Sequence, residues 1–171
     1  TTADVDVGDT VTLTGTTVPS WMTFTASSGA LTGTPTNSEV GSHSVVITAS
    51  DGTVSVTDTF TVVVTNTNDA PTISSTAVTT ATEDAAYSYT TTAADVDTDD
   101  TVTITCTKVP TWMTCASGAL TGTPVNANVG AHSVVITASD GTASVTDSFT
   151  VTVANTNDAP TISSTAVTAA T

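Results

Sequence analysis

Apolar and polar side chains alternate in short stretches along this chain, and turn-forming residues separate the stretches. Alternation of this kind puts the apolar residues on one face of a β-strand, and no stretch has the period of an amphipathic helix. The clearest case is 143–154, whose valines and Phe149 share one face if a β-bulge falls near Asp147. The pattern predicts seven strands, at 72–78, 86–92, 101–107, 112–115, 119–121, 132–139 and 143–154.

The sequence also repeats itself almost unchanged, because the run 66–71 returns as 155–160 after 89 residues. We therefore predict three pieces: 1–69, a truncated repeat lacking its first strands; 70–158, a complete repeat; and 159–171, the first strand of a following repeat. Seven antiparallel strands with regular turns are typical of a Greek-key β-sandwich. An odd number of strands sends the two ends of a module to opposite poles, so tandem copies are expected to form a rod.

Composition favours the same all-β fold, since Thr and Val are abundant and β-branched side chains suit a pleated sheet. The charge is strongly negative, with Lys108 as the one basic residue against 16 acidic residues and a net charge of −15. Nucleic acid is an unsuitable partner for such a chain, because phosphate binding needs a basic surface. Direct membrane insertion is not expected either, since no apolar run approaches about 20 residues.

Two cysteines, Cys106 and Cys115, lie in the second repeat, where the first repeat has Gly15 and Phe24. Their joint presence in one repeat and joint absence from the other predicts a disulfide, with two reduced and buried thiols as the alternative. A disulfide would place the protein in an oxidising, extracytoplasmic compartment.

A longer string of residues resembles a known family. It begins with Val109, Pro110, Trp112 and Met113, and it continues through 118–124, 129–130, 134–141, 149–151 and 155–160. The string is similar to the dystroglycan-type cadherin-like domain, among the cadherin-like and putative-Ig tandem repeats of large bacterial surface proteins. The first repeat carries the same string from Val18 to Pro71. The resemblance implies β-sandwich modules with calcium bound between adjacent copies.

The resemblance also implies a set of calcium ligands. They are Asn66, Asn68, Asp69, Asp95, Asp97 and Asp140 at one junction, Asp4, Asp6 and Asp51 at matching positions of the first repeat, and Glu83, Asn155, Asn157 and Asp158 at the opposite pole. The Asp-x-Glu loop of the family is replaced by Asn37 and Glu39 in one repeat and by Asn126 and Asn128 in the other, so fewer ions per junction are expected.

Elementary electrostatics favours a cation at these loops independently of the resemblance. Two unit charges about 4 Å apart repel by roughly 4 kcal/mol at an effective dielectric constant of 20, and the segment 95–100 holds four aspartates. Calcium accepts six to eight oxygen ligands in flexible geometry and would relieve this repulsion. The alternative is that the aspartates only form solvated turns, which Asp and Asn commonly do.

The remaining chemistry-bearing residues are predicted to be structural. Trp21 and Trp112 are expected to fill the core, with a glycan-stacking platform as the alternative. His43 and His132 lie in predicted strands without a carboxylate or cysteine at ligand spacing, so packing is expected of them. Ser and Thr are too abundant for any one of them to indicate a nucleophile, and no G-x-S-x-G motif is present.

Together these observations predict a non-enzymatic spacer in a secreted or cell-surface protein, stiffened by calcium at the junctions between repeats. Its expected partners are neighbouring repeats of the same chain or identical subunits in a filament, with a host or matrix glycan as a further candidate. Three alternatives stay open: a filament subunit that inserts 159–171 into the next subunit, a carbohydrate-binding adhesin module, and an accessory module of a secreted hydrolase.

Overall fold

The computed structural model describes residues 3, 5–6 and 8–165, and the chain divides into two compact units, Thr1–Asn68 and Asp69–Thr171. Strands dominate both units, and the helices of the described residues are two short 3₁₀ turns, at Asn37–Glu39 and Asn126–Asn128. No helix in this described part is long and apolar enough to cross a membrane. The all-β fold class predicted from the alternating pattern is confirmed.

The first unit contains five strands in its described residues: β1 (Thr12–Thr17), β2 (Met22–Thr25), β3 (Ala30–Gly33), β4 (Gly41–Ser50) and β5 (Ser55–Val64). They form a three-stranded sheet in the order β1-β4-β5 and a two-stranded sheet in the order β2-β3. Every pairing is antiparallel, as expected for strands joined by short turns.

The second unit contains nine strands in its described residues: β6 (Thr72–Ile73), β7 (Thr80–Thr82), β8 (Tyr87–Thr90), β9 (Ala93–Ala94), β10 (Thr103–Lys108), β11 (Met113–Ala116), β12 (Ala119–Gly122), β13 (Gly130–Ser139) and β14 (Ser144–Ala154). Four of them form a sheet in the order β10-β13-β14-β7, and three form a sheet in the order β11-β12-β8. The remaining two, β6 and β9, pair with each other.

The first strand predicted for this unit, at 72–78, is much shorter in the structure. Its beginning forms β6, which pairs with β9, and the chain then continues to β7, which pairs with β14 in parallel. The predicted strand at 86–92 is likewise shorter, since β8 covers Tyr87–Thr90 and β9, at Ala93–Ala94, lies beyond the predicted range. Strands β6 and β7 pair in different sheets, and residues 74–79 between them form no strand. The prediction of one strand over 72–78 was therefore wrong beyond Ile73.

The bulge predicted near Asp147 is absent. Strands β13 and β14 pair in one uninterrupted register from Gly130–Val153 to Ser139–Ser144, with Asp147 opposite Ile136. The prediction was wrong because the two-residue period already puts the odd-numbered residues 145–153 on one face, and Asp147 lies half-buried among them. The register does shift in β10, between Cys106 and Lys108.

The core of the second unit lies between its two larger sheets. Its buried side chains are Tyr87, Tyr89, Met113, Leu120, Val134, Ile136 and Val151. Aromatic rings meet edge to face here, Tyr89 with Phe149 at 5.7 Å and Tyr87 with Trp112 at 5.8 Å between ring centroids. Trp112 packs against this cluster, as expected of a core residue, which leaves its ring unsuited to serve as an open platform for a sugar.

A disulfide joins Cys106 on β10 to Cys115 on β11, whose Cα atoms lie 6.3 Å apart. The two strands belong to different sheets, so the bond ties one layer of the sandwich to the other. This is the pair that the comparison of the two repeats predicts.

The segment predicted to begin a third repeat falls partly outside the described residues. Residues 159–165 form no strand, and residues 166–171 lie outside the part of the chain that the structure describes. The prediction that this segment is the first strand of a following repeat therefore stays a prediction.

Candidate cation site in the second unit

The candidate site is centred on the loop 95–100, which connects β9 to β10 and contains four aspartates. The Asp97 N–H donates a hydrogen bond to Oδ1 of Asp95 at 3.0 Å, and the Asp100 N–H donates to the Asp97 carbonyl at 3.1 Å. An aspartate that accepts a bond from the backbone two residues further on is a common start of a turn. The loop is therefore folded on itself, with its carboxylates in one region.

Asp97 is the buried acid of this loop, with 5% of its surface exposed. Its Oδ2 accepts a hydrogen bond from the backbone N–H of Asp69 at 2.8 Å. A bond between a carboxylate and a backbone N–H is a strong, charge-assisted one. Asp97 thereby holds the loop to the first residue of the second unit, and two predicted calcium ligands are in direct contact.

Asp95 contributes an oxygen whose bonding is incomplete. Its Oδ2 is buried, and within the described part of the chain it has no hydrogen-bond partner. A buried acceptor on an ionised group is unfavourable unless a donor or a cation reaches it. Lys108 is the chain's only lysine or arginine, so basic side chains are scarce for this purpose.

Negative charge accumulates around Asp100. Partial burial raises the pKa of the Asp100 carboxyl above its ordinary value, and the neighbouring charges of four aspartates raise it further; these are Asp97, Asp140, Asp95 and Asp99. Like charges raise a carboxyl pKa because each disfavours a further negative charge nearby. The same repulsion disfavours the folded loop at neutral pH and would be reduced by a bound cation.

Asp140 also has a local structural role in the turn between β13 and β14. Its Oδ1 accepts hydrogen bonds from the backbone N–H groups of Thr142 and Ala143, each at 2.6 Å. Asp51 in the first unit does the same with Thr53 and Val54, each at 2.7 Å. Both predicted ligands are therefore turn-forming residues as well, which was the alternative weighed for them.

No three acidic, histidine or cysteine side chains in the described residues converge closely enough to hold a metal ion by themselves. Calcium also accepts backbone carbonyls, amide oxygens and water, so three carboxylates on one point are not required. The atoms around the loop that could bind a metal ion are oxygens, and oxygen ligands suit calcium better than zinc. The residues present fit a hard cation, with Asp95 and Asp97 as the candidates to hold it.

The opposite pole of the second unit brings other predicted ligands together. Glu83 is 3% exposed, and its Oε2 accepts a hydrogen bond from the Thr156 N–H at 3.0 Å. Asp158 accepts a bond from Nδ2 of Asn126 at 3.2 Å and, through its carbonyl, from Nδ2 of Asn157 at 3.3 Å. Asn155 lies beside them on an exposed stretch.

The other predicted ligands belong to the first unit. Asn66 and Asn68 are exposed residues at its end, and Asp6 is exposed near its beginning. Asp4 lies outside the described residues. Calcium ligation by these residues stays a prediction.

Several residues of the two poles were not among the predicted ligands. Asp99 and Asp100 lie in the same short segment as Asp95 and Asp97, so the four aspartates within 95–100 were a usable signal for them. Asn126 and Thr156 carry no such signal, because their roles depend on hydrogen bonds between residues far apart in sequence.

A model of the family described as Putative Ig domain matches residues 1–65 and, a second time, residues 70–154. The chain belongs to this family. A search among curated proteins found none that matches. Both units are thus Putative Ig domains, which agrees with the predicted cadherin-like or Ig-like repeat.

Two solved protocadherin structures have a similar fold. Human protocadherin-24 EC1-2 is similar with a TM-score of 0.53 and 16% identity over 91% of this chain and 87% of that one. Extracellular cadherin domains 1-4 of protocadherin gamma B7 give a TM-score of 0.56 and 16% identity over 84% of this chain and 40% of that one. At this identity the likeness shows a shared cadherin-like fold.

An endo-fucoidan hydrolase of glycoside hydrolase family 107 is also similar, with 30% identity and a TM-score of 0.44. The match covers 88% of this chain and 24% of the hydrolase, so the chain spans about a quarter of that protein's length.

Proposed function

We propose that this chain is a non-catalytic structural module of a secreted or cell-surface protein, and that its second unit binds calcium at the loop 95–100. Membership of the Putative Ig domain family and the cadherin-like fold support the structural role. The Cys106–Cys115 disulfide supports an extracytoplasmic location, because disulfides persist in oxidising compartments.

The buried Oδ2 of Asp95 carries the calcium part of this proposal. It is an acceptor without a hydrogen-bond partner in the described residues, and it belongs to a loop with three further aspartates. A cation beside it would complete the bonding of this oxygen and reduce the repulsion that raises the pKa of Asp100. The prediction of calcium at the junction between repeats, with Asn66 and Asn68 among its ligands, is a wider form of the same proposal.

Thermal unfolding in calcium, in magnesium and in chelator tests calcium binding directly. Each unit has one tryptophan, so Trp21→Phe leaves Trp112 as the fluorescence reporter of the second unit. Extracellular calcium modules commonly bind with dissociation constants of about 0.1–1 mM. At about 10 mM calcium, mass action would then stabilise the second unit by roughly 1.4–2.7 kcal/mol. Magnesium should stabilise less, because it loses its water reluctantly.

Asp95→Asn should abolish most of this stabilisation, since it removes the charge of the oxygen that lacks a partner. Asp84→Asn is the matched control, because Asp84 is exposed in the turn before β8 and Asn tolerates its positive φ of 61°. Equal melting curves for the unsubstituted chain in calcium and in chelator would overturn the calcium proposal. The proposed structural role would survive that result.

A further inference from the structure

The second strand of the second unit, β7, and the last strand of its described residues, β14, lie side by side. Strand β7 pairs in parallel with the end of β14, with Thr80 opposite Thr152 and Thr82 opposite Ala154. Two backbone bonds flank these pairs, from Thr152 N–H to the Thr79 carbonyl at 2.9 Å and from Glu83 N–H to the Ala154 carbonyl at 3.0 Å. We call this set of pairs and bonds the terminal ladder.

Glu83 extends the terminal ladder beyond the end of β14. Its Oε2 accepts the Thr156 N–H at 3.0 Å, and its carbonyl accepts Oγ1 of Thr156 at 3.3 Å. We call these two bonds the Glu83 clasp. The carboxylate is buried at 3% exposure, so water competes little with its bond to the backbone.

The parallel pairing of β7 and β14 determines how a pulling force is distributed over the bonds of the terminal ladder. Tension along the chain draws β7 toward its N-terminal end and β14 toward its C-terminal end, and in a parallel pair these directions are opposite along one axis. The two strands must then slide past each other, so the ladder bonds are loaded together. An antiparallel hairpin pulled at its open end instead separates one pair at a time.

The other attachments of this edge support the ladder. Ala81 of β7 packs against the hydrophobic core, and the Asp84 N–H donates to the Pro124 carbonyl at 2.8 Å. Strand β6 adds the pairs Thr72–Ala94 and Ile73–Ala93. Just after β6, the Ser74 N–H donates to the Thr92 carbonyl at 2.9 Å, and the Thr92 N–H donates to Oγ of Ser75 at 2.9 Å. These bonds attach the entering segment beside β9, whereas the terminal ladder attaches it to β14, the last strand of the described residues.

We propose that the second unit is a load-bearing module in which the Glu83 clasp locks β7 against β14, so that the unit resists extension without a bound cation. This inference extends the proposed structural role and is independent of calcium. Glu83 acts here as a positioning residue for the segment that follows β14.

Single-molecule stretching of the whole chain, tethered through tags at residues 1 and 171 and held in chelator, tests the proposal. The disulfide identifies the unfolding step of the second unit, because it prevents the segment between Cys106 and Cys115 from extending. The two residues are nine positions apart in sequence, and their Cα atoms are 6.3 Å apart. Reduction should lengthen that step by about 25 Å and leave the step of the first unit unchanged.

Glu83→Ala should unfold the second unit about tenfold faster at constant force, the change expected from losing a charged hydrogen bond. Glu83→Gln keeps an acceptor oxygen and should recover much of the resistance. The matched control is Ser139→Ala, which removes the bonds of Ser139 to Ala143 and Gly141 in the β13–β14 turn, away from the terminal ladder. It should lower the denaturant midpoint and leave the forced unfolding rate nearly unchanged.

An unchanged forced unfolding rate for Glu83→Ala in chelator would overturn the proposal. So would equal acceleration by Ser139→Ala, because the effect would then follow general stability rather than the terminal ladder. If Glu83→Ala does not fold, Thr156→Pro removes the donor of the clasp and leaves Glu83 in place. An effect of Glu83→Ala seen only in calcium would also overturn this proposal while supporting cation binding at that pole.

Discussion

Phe24 packs directly against Gly15, so that a Cβ atom placed on Gly15 would lie 3.1 Å from Cδ1 and 3.2 Å from Cβ of Phe24. The matching positions of the second unit are occupied by Cys115 and Cys106, which are joined by the disulfide. The same space is thus filled in one unit by a ring over a glycine and in the other by a covalent bond. The two units have different means of joining the same pair of strands.

Removing the disulfide with Cys106→Ala and Cys115→Ala should lower the free energy of unfolding of the second unit by about 2.7 kcal/mol, following the loop-entropy relation for so short a loop. Cys106→Gly with Cys115→Phe should cost less, because it installs the ring and glycine of the first unit. Urea unfolding followed by Trp112 fluorescence measures both losses. Equal losses in the two double variants, or two freely alkylated thiols in the native protein, would contradict this prediction.

Trp112 is held edge to face between Tyr87 and His132, and its Nε1 is buried without a hydrogen-bond partner in the described residues. Trp112→Ala should lower the free energy of unfolding by about 3 kcal/mol or more, as deletion of a large core ring does. Trp112→Phe should cost less, since it keeps a ring and removes the buried N–H. A loss below about 1 kcal/mol for the alanine variant, measured by urea unfolding followed by circular dichroism, would contradict a core role.

The raised pKa of Asp100 predicts how acid affects the second unit in the absence of calcium. The folded unit holds the Asp100 proton more tightly than the unfolded chain does. The contribution of this group to stability is therefore complete below about pH 3.8, the ordinary pKa of the carboxyl. The contribution is lost as the pH rises through the higher pKa of the folded state. Asp100→Asn in chelator should therefore raise the melting temperature of the second unit at pH 7 and leave it nearly unchanged at pH 3. Asp84→Asn is the control at an exposed turn, and equal effects of the two variants at pH 7 would refute the repulsion argument.

The lowered pKa of Asp51 predicts the opposite pH dependence of stability in the first unit. The backbone N–H groups of Val54 and Thr53 hold the pKa of the Asp51 carboxyl below its ordinary value of 3.8. The stabilisation is complete above that value and is lost as the pH falls through the lower pKa of the folded state. Asp51→Ala should destabilise the first unit at pH 6 and much less at pH 2, with Trp21 as the reporter in a Trp112→Phe background. A destabilisation that is constant over this range would show that the carboxylate charge is not involved.

Much of the fold could be predicted from the sequence because alternation and repetition are local signals. The predicted strand at 119–121 agrees closely with β12, and the predicted strand at 143–154 agrees closely with β14. The early end of the first predicted strand, after β6, and the separate strand β7 could not be predicted, because both depend on which distant strand the chain meets. The bulge at Cys106–Lys108 depends on pairing with β13 in the same way.

The residues of the candidate site could be predicted from the sequence, but their hydrogen bonds could not. Aspartates at 95 and 97 are visible in the sequence, and their proximity to Asp140 follows from the fold that the resemblance implies. The bond from Asp69 to Asp97 and the clasp from Glu83 to Thr156 are long-range hydrogen bonds, and no residue pattern encodes their geometry. Such bonds determine which carboxylates have donors and which oxygen is left without one.

The central strands β4 and β13 differ only at Ser42 and Ala131, and both pair with their neighbours in matching registers. A folding chain therefore meets two nearly equivalent partners for each neighbouring strand. Proximity in the chain distinguishes them, since β13 reaches β14 across residues 140–143, whereas β4 would have to span 51–143. This difference in loop length favours the local partner by about 3 kcal/mol in loop-closure entropy. Short turns thus protect these near-identical repeats against exchanging strands while they fold.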